Sequence, residues 1–502
     1  MILTDTQQKI IDTKGNLVVR ASAGTGKTHT MVNKIIKEIK ENRTHKVIAA
    51  ITFTIKAAQE IKDRLTVETS EHFIGTNNSF VIEEVIKPFM KDVYGEDFDI
   101  DIDTDYGIKV ESFEEGIQKV IDEGILCAYS NNRKNFIFQL GQQIVENSKA
   151  CRLYLQAKYF KIYIDEYQDC DSDMHAFFMY LCEQLGIETF IVGDEKQSIY
   201  IWRGAYPEAF KSIYSKENFN KIFMADNFRS CKQIQNYSNL LFEETRELYI
   251  ETKSNNIIWI DTNNEIWPQK VREHIDDTKK TALLRFSNDN AQLGASALSN
   301  YDIEFVYIPQ LPIADIINES AWLYSSIAKN IILEQYSVYD FISEIPAEGE
   351  RSKRNINQIT TYLKSIEMES KQRNMNKFEE KVMELSNYLG YNTKIEHIGK
   401  LYKTIIDKKL HVAFEPEKYH NIAITFHSSK GLEFDQVIVF AEDYRLNDVA
   451  SIYNHYVAVT RAKTKLIIVK INNYNANLFQ MNLKSIFQQN NVQLEDVICF
   501  NK

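Results

Sequence analysis

The sequence of 502 residues lacks several features that would mark a particular class of protein. None of its six cysteines belongs to a C-x-x-C pair, so neither a zinc site nor an iron–sulfur cluster is indicated. A disulfide scaffold is the formal alternative, but so few cysteines in so long a chain fit a reducing cytoplasm better. No run of about 18 uncharged apolar residues predicts a membrane span, and no basic region followed by an apolar run opens the chain. We therefore expect a soluble, cytoplasmic protein that does not contact a membrane.

The sequence also has no excess of basic residues, and it has little glycine and proline. Its 59 lysines and arginines stand against 70 acidic residues, for a net charge of −11. This balance argues against a general basic coat, so any nucleic acid would have to be bound in a local groove. With 17 glycines, 7 prolines and long amphipathic stretches, the composition favours a helix-rich α/β protein. The length favours several domains over a single core.

A glycine-containing loop follows the apolar run 17–19 and is typical of phosphate binding. Two glycines let the backbone turn several N–H groups toward phosphate oxygens, and the helix that follows points its positive end at the same anion. The lysine suits the β- and γ-phosphates, and the threonine hydroxyl is a hard ligand for Mg²⁺. The first position is alanine where the general pattern has glycine. The loop comprises Ala21, Ser22, Ala23, Gly24, Thr25, Gly26, Lys27 and Thr28.

Two further strand ends carry polar residues that suit the same chemistry. Asp165 ends an apolar run and would hold Mg²⁺ opposite Thr28, while Glu166 would orient and deprotonate the attacking water. The alternative interpretation of Asp165 and Glu166 is an acidic turn after a strand, without a catalytic role. Gln197 follows the next apolar run and could sense the γ-phosphate. Beyond it lie flat side chains and a cation that suit stacking on unpaired bases, namely Tyr200, Trp202 and Arg203.

Together these segments resemble a superfamily 1 DNA helicase of the UvrD/Rep type. The resemblance rests on an ordered series that brackets most of the chain. The series is Gln7, the loop 21–28, 52–60 (TFTIKAAQE), 165–169 (DEYQD), 193–200 (GDEKQSIY), 227–230 (NFRS), 425–434 (TFHSSKGLEF) and 457–462 (VAVTRA).

The resemblance implies ATP and Mg²⁺ as cofactors and a role for each matching residue. Gln7 would bind the adenine edge, Phe228 would stack on the adenine, and Glu433 would hold the ribose. Arg229 and Arg461 would reach the γ-phosphate and stabilise transition-state charge. Single-stranded DNA would contact Phe53, Tyr200, Trp202, Arg203 and His427.

Three departures from the family pattern affect binding rather than hydrolysis. His29 follows the loop, within the nucleotide-binding segment, where the family often has arginine, so adenine stacking on that side is in question. Ile55 replaces a usual asparagine, and 77–80 (NNSF) lacks a usual histidine. Both of these changes fall on segments that contact DNA in the family.

The implied fold is α/β, with two RecA-like lobes, each a parallel sheet flanked by helices, and a mostly helical insertion in each lobe. The spacing of the motifs predicts lobe 1 at 1–80 and 151–225, interrupted by an insertion at 81–150. It predicts lobe 2 at 226–287 and 409–502, interrupted by a reduced insertion at 288–408. The acidic run 96–105 lacks the glycine and glutamate of a calcium loop, and a solvated or partner-facing surface is expected there.

The expected function is that of an ATP-driven DNA motor, with 3′-to-5′ polarity by resemblance. The compact length and short second insertion resemble the helicase-like subunit of a Gabija-type antiphage system, which acts with a nuclease partner that combines an ATPase and a Toprim domain. A general DNA repair helicase is the alternative. A DNA-end sensor that uses ATP as a switch without unwinding duplex also stays open, and an RNA helicase matches the motifs less well.

Overall fold

The computed structural model describes residues 3–95, 102–201, 204–252, 255–316, 320–345 and 353–501. Trp202, Arg203 and most of the acidic run 96–105 therefore lie outside the described residues. Within them the strands are β1 (Leu17–Ala21), β2 (Val47–Thr52), β3 (Phe73–Thr76), β4 (Asp103–Val110), β5 (Ile125–Tyr129), β6 (Tyr159–Ile164), β7 (Glu188–Gly193), β8 (Asn220–Met224), β9 (Ile257–Thr262), β10 (Thr281–Arg285), β11 (Val306–Tyr307), β12 (Asn421–Thr425), β13 (Phe434–Phe440), β14 (Ala462–Ile471) and β15 (Cys499–Asn501).

The helices follow the strands through most of the chain, as in an α/β protein. They are α1 (Asp5–Asp12), α2 (Lys27–Glu41), α3 (Ile55–Arg64), α4 (Asn77–Val81), α5 (Lys87–Tyr94), α6 (Phe113–Glu123), α7 (Phe136–Asn147), α8 (Lys149–Lys158), α9 (Ser172–Glu183), α10 (Pro207–Tyr214), α11 (Lys232–Leu240), α12 (Trp267–Arg272), α13 (Asn288–Ser299), α14 (Ala321–Ile332), α15 (Val338–Ser343), α16 (Lys353–Lys371), α17 (Met375–Tyr388), α18 (Ile395–Ile406), α19 (Val449–Val459) and α20 (Tyr474–Gln488). Among the described residues, no helix has both the length and the apolar composition needed to cross a bilayer.

The first lobe is built on a parallel sheet with strand order β3-β2-β6-β7-β1-β8. Most side chains of its inner strands are apolar, as expected where helices cover both faces of a parallel sheet. In β1, Val18 packs into the core on one face, while Leu17 and Val19 pack into the core on the other. Since β6, β7 and β1 are neighbours, the loops that follow them meet at one edge of the sheet, where ligands bind in such folds.

The second lobe has a seven-stranded parallel sheet in the order β11-β12-β10-β13-β14-β9-β15. It too is covered on both faces. Along β14, Leu466 and Ile468 pack into one core, and Ile467 and Val469 into the other. Two parallel sheets flanked by helices confirm the expected two-lobe α/β fold.

The first insertion is continuous with the lobe that carries it. Its helices and a small parallel sheet of β4 and β5 share one apolar core with the first lobe, so it is not helical throughout. Leu126 of β5 and Phe136 of α7 belong to the same cluster as Ile51 and Ile162 of the main sheet.

The second insertion has a core of its own, formed by residues of α14 to α18 with their flanking turns. Helix α13, by contrast, packs on the second sheet. A Cβ at Gly294 would lie 2.4 Å from Leu283 of β10, so the missing side chain allows this close approach. Strand β11 also pairs with β12. Within the range 288–408 predicted for the insertion, α13 and β11 therefore pack on the second sheet, whereas α14 to α18 form the separate core.

Candidate nucleotide site between the two lobes

The phosphate-binding loop connects β1 to α2 and has the backbone conformation that its glycines permit. Gly24 and Gly26 have φ angles of 74° and 78°, and Gly26 caps the N-terminus of α2. The hydroxyl of Thr25 donates to the carbonyl of Ser22 at 2.9 Å and closes the loop. A Cβ at Gly24 would lie 2.6 Å from Oδ1 of Asn227 in the other lobe, so this glycine also allows the two lobes to touch.

Asp165 lies opposite Thr28, as a shared metal site requires. The Thr28 hydroxyl donates to Oδ2 of Asp165 at 3.2 Å, and Asp165 is only 3% exposed. Burial, together with the neighbouring Glu166, raises the pKa of Asp165 to about 6. A hydroxyl and a carboxylate are the hard oxygen donors that Mg²⁺ prefers, and Mg²⁺ commonly needs only one or two protein ligands when it also binds phosphate. The residues present therefore fit Mg²⁺ with a nucleotide.

Glu166 occupies an unusual conformation at the centre of the site. Its φ is 51°, in the left-handed region that few residues other than glycine adopt, and such strain is often found at functional sites. Its carboxylate lies 3.1 Å from Nζ of Lys27 and 3.5 Å from Nζ of Lys430, and it accepts from the Gln168 amide at 2.6 Å. Burial alone would raise the pKa of Glu166, but the two lysines outweigh it and hold that pKa well below its usual value.

The Lys27 ammonium is buried and has the contacts expected of a phosphate ligand. It forms the ion pair with Glu166, but it donates no hydrogen bond of regular geometry within the described part of the chain. Burial lowers its pKa, but Glu166, Asp194 and Asp165 outweigh that effect and raise it. Lys27 is thus a charged donor aimed into an acidic cleft, which fits an incoming nucleotide phosphate.

Gln197 meets an arginine from the opposite lobe. Its amide nitrogen donates to Oδ2 of Asp194 at 2.8 Å, and its amide oxygen lies 3.4 Å from Nη2 of Arg461. Arg461 is buried and also donates to the carbonyls of Val457 and Leu432. Burial lowers the pKa of Arg461 to about 9, so the guanidinium stays charged at neutral pH.

The segment around Arg229 crosses from the second lobe onto the phosphate loop. The backbone N–H of Phe228 donates to the carbonyl of Gly24 at 2.9 Å. Arg229 donates from Nε to Glu433 at 2.8 Å and from a terminal nitrogen to the carbonyl of Thr460 at 3.3 Å. The Phe228 ring is 49% exposed, so it is available to a ligand at the mouth of the cleft.

Gln7 and His29 both lie close to Gly26 of the loop. Gln7 donates to the carbonyl of Thr25 at 3.3 Å, and its oxygen accepts from the N–H of Thr4 in the capping box that starts α1. His29 lies in the first turns of α2, where its carbonyl accepts from Asn33 at 2.8 Å. Both residues are therefore near the loop end where a base would lie.

A cavity of about 1000 Å³ runs along the cleft and joins most of the predicted residues. Its wall contains the loop 24–29, Asp165, Glu166, Gln197, Arg229 and Arg461, together with Phe53, Tyr200 and His427 from the predicted strand contacts. Gln7, Phe228 and Glu433 are not part of this wall. Neither are Ala21, Ser22 and Ala23, which form the buried base of the loop.

Several residues at the site have no role predicted from the sequence. Lys430 reaches from the second lobe to Asp169 at 2.6 Å, and its ammonium lies 5.0 Å from the centre of the Tyr200 ring. Lys430 lies within the segment 425–434, on which the family resemblance rests, so the sequence contained a signal that it belongs to the site. Tyr456 contacts the phosphate loop and directly precedes the segment 457–462.

The cavity also extends beneath the first insertion. There it is lined by Tyr106, Lys109, Tyr129 and Lys134. These residues are scattered over β4, β5 and the loop before α7, so no local pattern pointed to them.

Comparison with known proteins agrees with this geometry. The description "UvrD/REP helicase N-terminal domain" matches residues 3–134 and 133–218, and "UvrD-like helicase C-terminal domain" matches 420–469. The Gabija protein GajB of Bacillus cereus (strain VD045) is 39% identical over 96% of this chain and 98% of its own length.

More distant relatives match a smaller part. ATP-dependent DNA helicase Rep of Buchnera aphidicola subsp. Baizongia pistaciae is 28% identical over 61% of this chain and 53% of its own length. DNA helicase II of Haemophilus influenzae is 27% identical over 48% and 40%, respectively. The full-length match, the two domain matches and a nucleotide cleft closed by residues of both lobes lead to one conclusion: the chain belongs to the UvrD/Rep family of helicases and, within it, to the GajB type.

Proposed function

We propose that the chain is an ATP-dependent DNA translocase or helicase. The observation that carries the proposal is the convergence of two arginines of the second lobe on the nucleotide site of the first. Arg461 lies 3.4 Å from Gln197, and Arg229 follows the segment that bonds to Gly24. Arginines that reach a nucleotide from a separate lobe link hydrolysis to lobe closure, because they stabilise transition-state charge only in the closed state.

In the proposed reaction, Lys27 and the loop N–H groups bind the phosphates, and Thr28 with Asp165 holds Mg²⁺. The metal would neutralise the charge of the phosphates when bound. A phosphate that attracts Lys27 releases Glu166 from its ion pair. The pKa of Glu166 then rises, because one of the two lysines that lower it has left, and its carboxylate can accept a proton from the attacking water.

The strand would lie across both lobes, so that closure and reopening move one grip relative to the other. Phe53 and Tyr200 lie on the first lobe and His427 on the second, all along the same cavity. Their flat side chains suit stacking on unpaired bases. We assign 3′-to-5′ polarity from the family resemblance.

The first insertion supplies a continuation of this strand track. Tyr106 and Tyr129 offer ring faces, Lys109 and Lys134 offer positive charge, and the Lys134 ammonium lies 5.7 Å from the centre of the Tyr129 ring. The Asn78 amide donates to the Tyr106 hydroxyl at 3.0 Å and ties this track to the first lobe. The segment 77–80, which lacks the family's histidine, thus supports a tyrosine of the track.

Lys109→Ala and Lys134→Ala test this continuation. Each variant should bind single-stranded DNA more weakly and reduce the slope of log affinity against log salt by about 0.7, the value for one lost phosphate contact. Lys119→Ala is the matched control, since Lys119 is exposed on the same insertion and pairs with Glu123. A salt slope that is the same in all four proteins contradicts the proposed track.

The biological setting that we propose is antiphage defence, with a nuclease partner of the ATPase–Toprim type. Support comes from the extent of the likeness: the match to the Gabija protein GajB covers 98% of that protein, whereas the match to Rep covers 53%. A general repair helicase is the alternative. An ATP-switched DNA-end sensor is favoured by the substitutions at Ile55 and 77–80, which leave the nucleotide site unchanged.

The first experiment measures ATP hydrolysis without nucleic acid, with single-stranded DNA and with blunt duplex, each with and without the candidate nuclease. Stimulation of the isolated chain by single strands supports an autonomous motor, and hydrolysis only with the nuclease supports a subunit licensed by its complex. Strand displacement then separates the helicase from the end sensor. Absence of hydrolysis in every condition overturns the proposal.

Glu166→Gln tests the assignment of the base. This variant should retain ATP binding and lose turnover by about 10³-fold, within the range for a general base. Glu183→Gln is the control, since Glu183 pairs with Lys216 and neither residue lines the cavity. Near-wild-type turnover of Glu166→Gln would show that another group activates water.

A further inference from the structure

A buried tyrosine of the second lobe bridges two parts of the first lobe's nucleotide site. Tyr456 lies on α19 and is 2% exposed. Its hydroxyl accepts a hydrogen bond from the N–H of Ala23 in the phosphate loop at 3.1 Å and donates one to Oδ2 of Asp194 at 3.1 Å. One hydroxyl therefore joins the loop after β1, the loop after β7 and the helix of the opposite lobe.

Asp194 is the centre of this group of contacts. Its Oδ2 accepts from both Tyr456 and the amide of Gln197, the latter at 2.8 Å. Lys196 donates to Asp194 through its backbone N–H, and its ammonium donates to the hydroxyl of Ser22 at 3.0 Å. Because these groups are buried, their hydrogen bonds are strong and the loss of one partner is not replaced by water.

Gln197 is thereby held from two sides by the same end of α19. Tyr456 acts on its amide nitrogen through Asp194, and Arg461 faces its amide oxygen at 3.4 Å. The position of Arg461 depends in turn on the carbonyl of Val457, one residue after Tyr456. The lobe that brings the arginine therefore also brings the hydroxyl that orients the residue opposite it.

We propose that Tyr456 is a positioning residue for ATP hydrolysis. Its hydroxyl links the second lobe to the phosphate loop when the lobes are closed, and it sets the side-chain orientation of Gln197 toward the γ-phosphate. This inference rests on the proposed function, since it assigns Tyr456 a part in the hydrolysis proposed above.

The chain offers a close control for a buried tyrosine that serves stability alone. Tyr237 is also fully buried, and its hydroxyl bonds to Nε2 of His455 at 2.8 Å. That hydrogen bond lies wholly within the second lobe. Tyr237→Phe and Tyr456→Phe each remove one oxygen atom. The first removes one buried hydrogen bond within the second lobe, whereas the second removes two, both between the lobes.

Kinetics of the full-length chain, with the partner if hydrolysis requires it, separate positioning from stability. In Tyr456→Phe, kcat for ATP should fall about tenfold while KM changes less than about threefold, because Gln197 loses its orientation toward the γ-phosphate while the groups that bind the nucleotide are kept. Tyr237→Phe should keep the wild-type kcat. In the Gln197→Ala background, Tyr456→Phe should add nothing further, since the two residues act as a unit. Equal kcat values for the two tyrosine variants, or fully additive losses, overturn the inference.

Amide exchange provides a readout that needs no hydrolysis. Without nucleotide, a peptide that contains Ala23 should exchange faster in Tyr456→Phe than in wild type or Tyr237→Phe, because its N–H has lost its acceptor. Unchanged exchange overturns the inference whatever the kinetics. If Tyr456→Phe exchanges faster than wild type but the wild-type chain hydrolyses no ATP in any condition, the proposed function is refuted.

Discussion

The two walls of the nucleotide cleft are built in different ways. The first-lobe wall consists of the loop 24–29 and of side chains at the ends of adjacent strands, such as Asp165 and Glu166. The second-lobe wall consists of long side chains from separate segments, namely Arg229, Lys430 and Arg461. The first wall is complete within one lobe, whereas the second exists only when the lobes approach. Under the proposed function, the first wall would bind the nucleotide and the second would control its hydrolysis.

The charges of the site follow the same division. Glu166 is paired with Lys27 inside the first lobe and with Lys430 across the cleft. When the lobes separate, the first pair persists and the second is lost. An unpaired charge in a buried site costs free energy. The ion pairs between the lobes therefore stabilise the closed arrangement only while their charged groups stay within pairing distance.

The largest expected effect comes from the second wall. Arg229→Ala should lower ATP turnover by about 10³-fold, as expected for an arginine that reaches the γ-phosphate from another lobe. Binding of a fluorescent ATP analogue should change little, since the first wall is intact. Arg272→Ala is the control, because Arg272 is a partly exposed residue of the same lobe that pairs with Asp277. If Arg229→Ala binds the analogue poorly but turns over normally at saturation, the division between the walls is wrong.

A change in the first wall should have the opposite signature. Lys27→Ala should weaken nucleotide binding by about 100-fold, the size expected for losing charge-assisted hydrogen bonds to phosphate. Lys37→Ala serves as the control, since Lys37 lies on the same helix α2 and pairs with Asp12 at 2.6 Å on the surface. Titration of each protein with the analogue measures the difference. Wild-type affinity in Lys27→Ala would mean that the loop backbone suffices.

Lys430 belongs to the second wall, and its ammonium pairs with Asp169 and Glu166 of the first lobe. Lys430→Met leaves Asp169 and Glu166 without their cation from the opposite lobe, and turnover should fall about tenfold with a smaller change in KM. Lys430→Arg should recover part of the loss because the charge is kept. Lys470→Met, in a surface pair with Asp261, controls for removal of a lysine from this lobe. Turnover of Lys430→Met equal to that of the control would remove Lys430 from the wall.

The smallest effect concerns the pH dependence of stability that comes from His455, a buried residue of α19, the helix that precedes Arg461 of the second wall. Burial lowers the pKa of His455 to about 3, so the folded chain does not bind the proton that the unfolded chain takes up below about pH 6.5. Stability is therefore lost as the pH falls from about 6.5 toward 3, by about 1.3 kcal/mol between pH 7 and 5.5 from this residue. Urea titrations of wild type and His455→Gln at both pH values measure it. An identical pH dependence in the two proteins would refute the assignment.

The predictability of the fold differed between motifs and connections. The loop 21–28 and the strand before Asp165 were recognisable because each is a short run with strict local requirements. The packing of α13 on the second sheet could not be predicted because α13 resembles any amphipathic helix, and its place is given by contacts such as that of Gly294 with Leu283. The β4–β5 pair was missed because its strands are separated by α6 and embedded in a segment of helical spacing.

The residues of the candidate site also differ in how far the sequence alone could predict them. The sequence alone determined the family and the two-lobe α/β fold, and it predicted the residues of the first wall, because residues suited to phosphate and Mg²⁺ stand at fixed spacing on one strand-loop-helix unit. The tertiary structure alone decided that Lys430 faces Glu166 and that Tyr456 joins Asp194 to the phosphate loop. Those contacts join segments hundreds of residues apart, and their geometry depends on how two separate cores pack against each other, which no local spacing records.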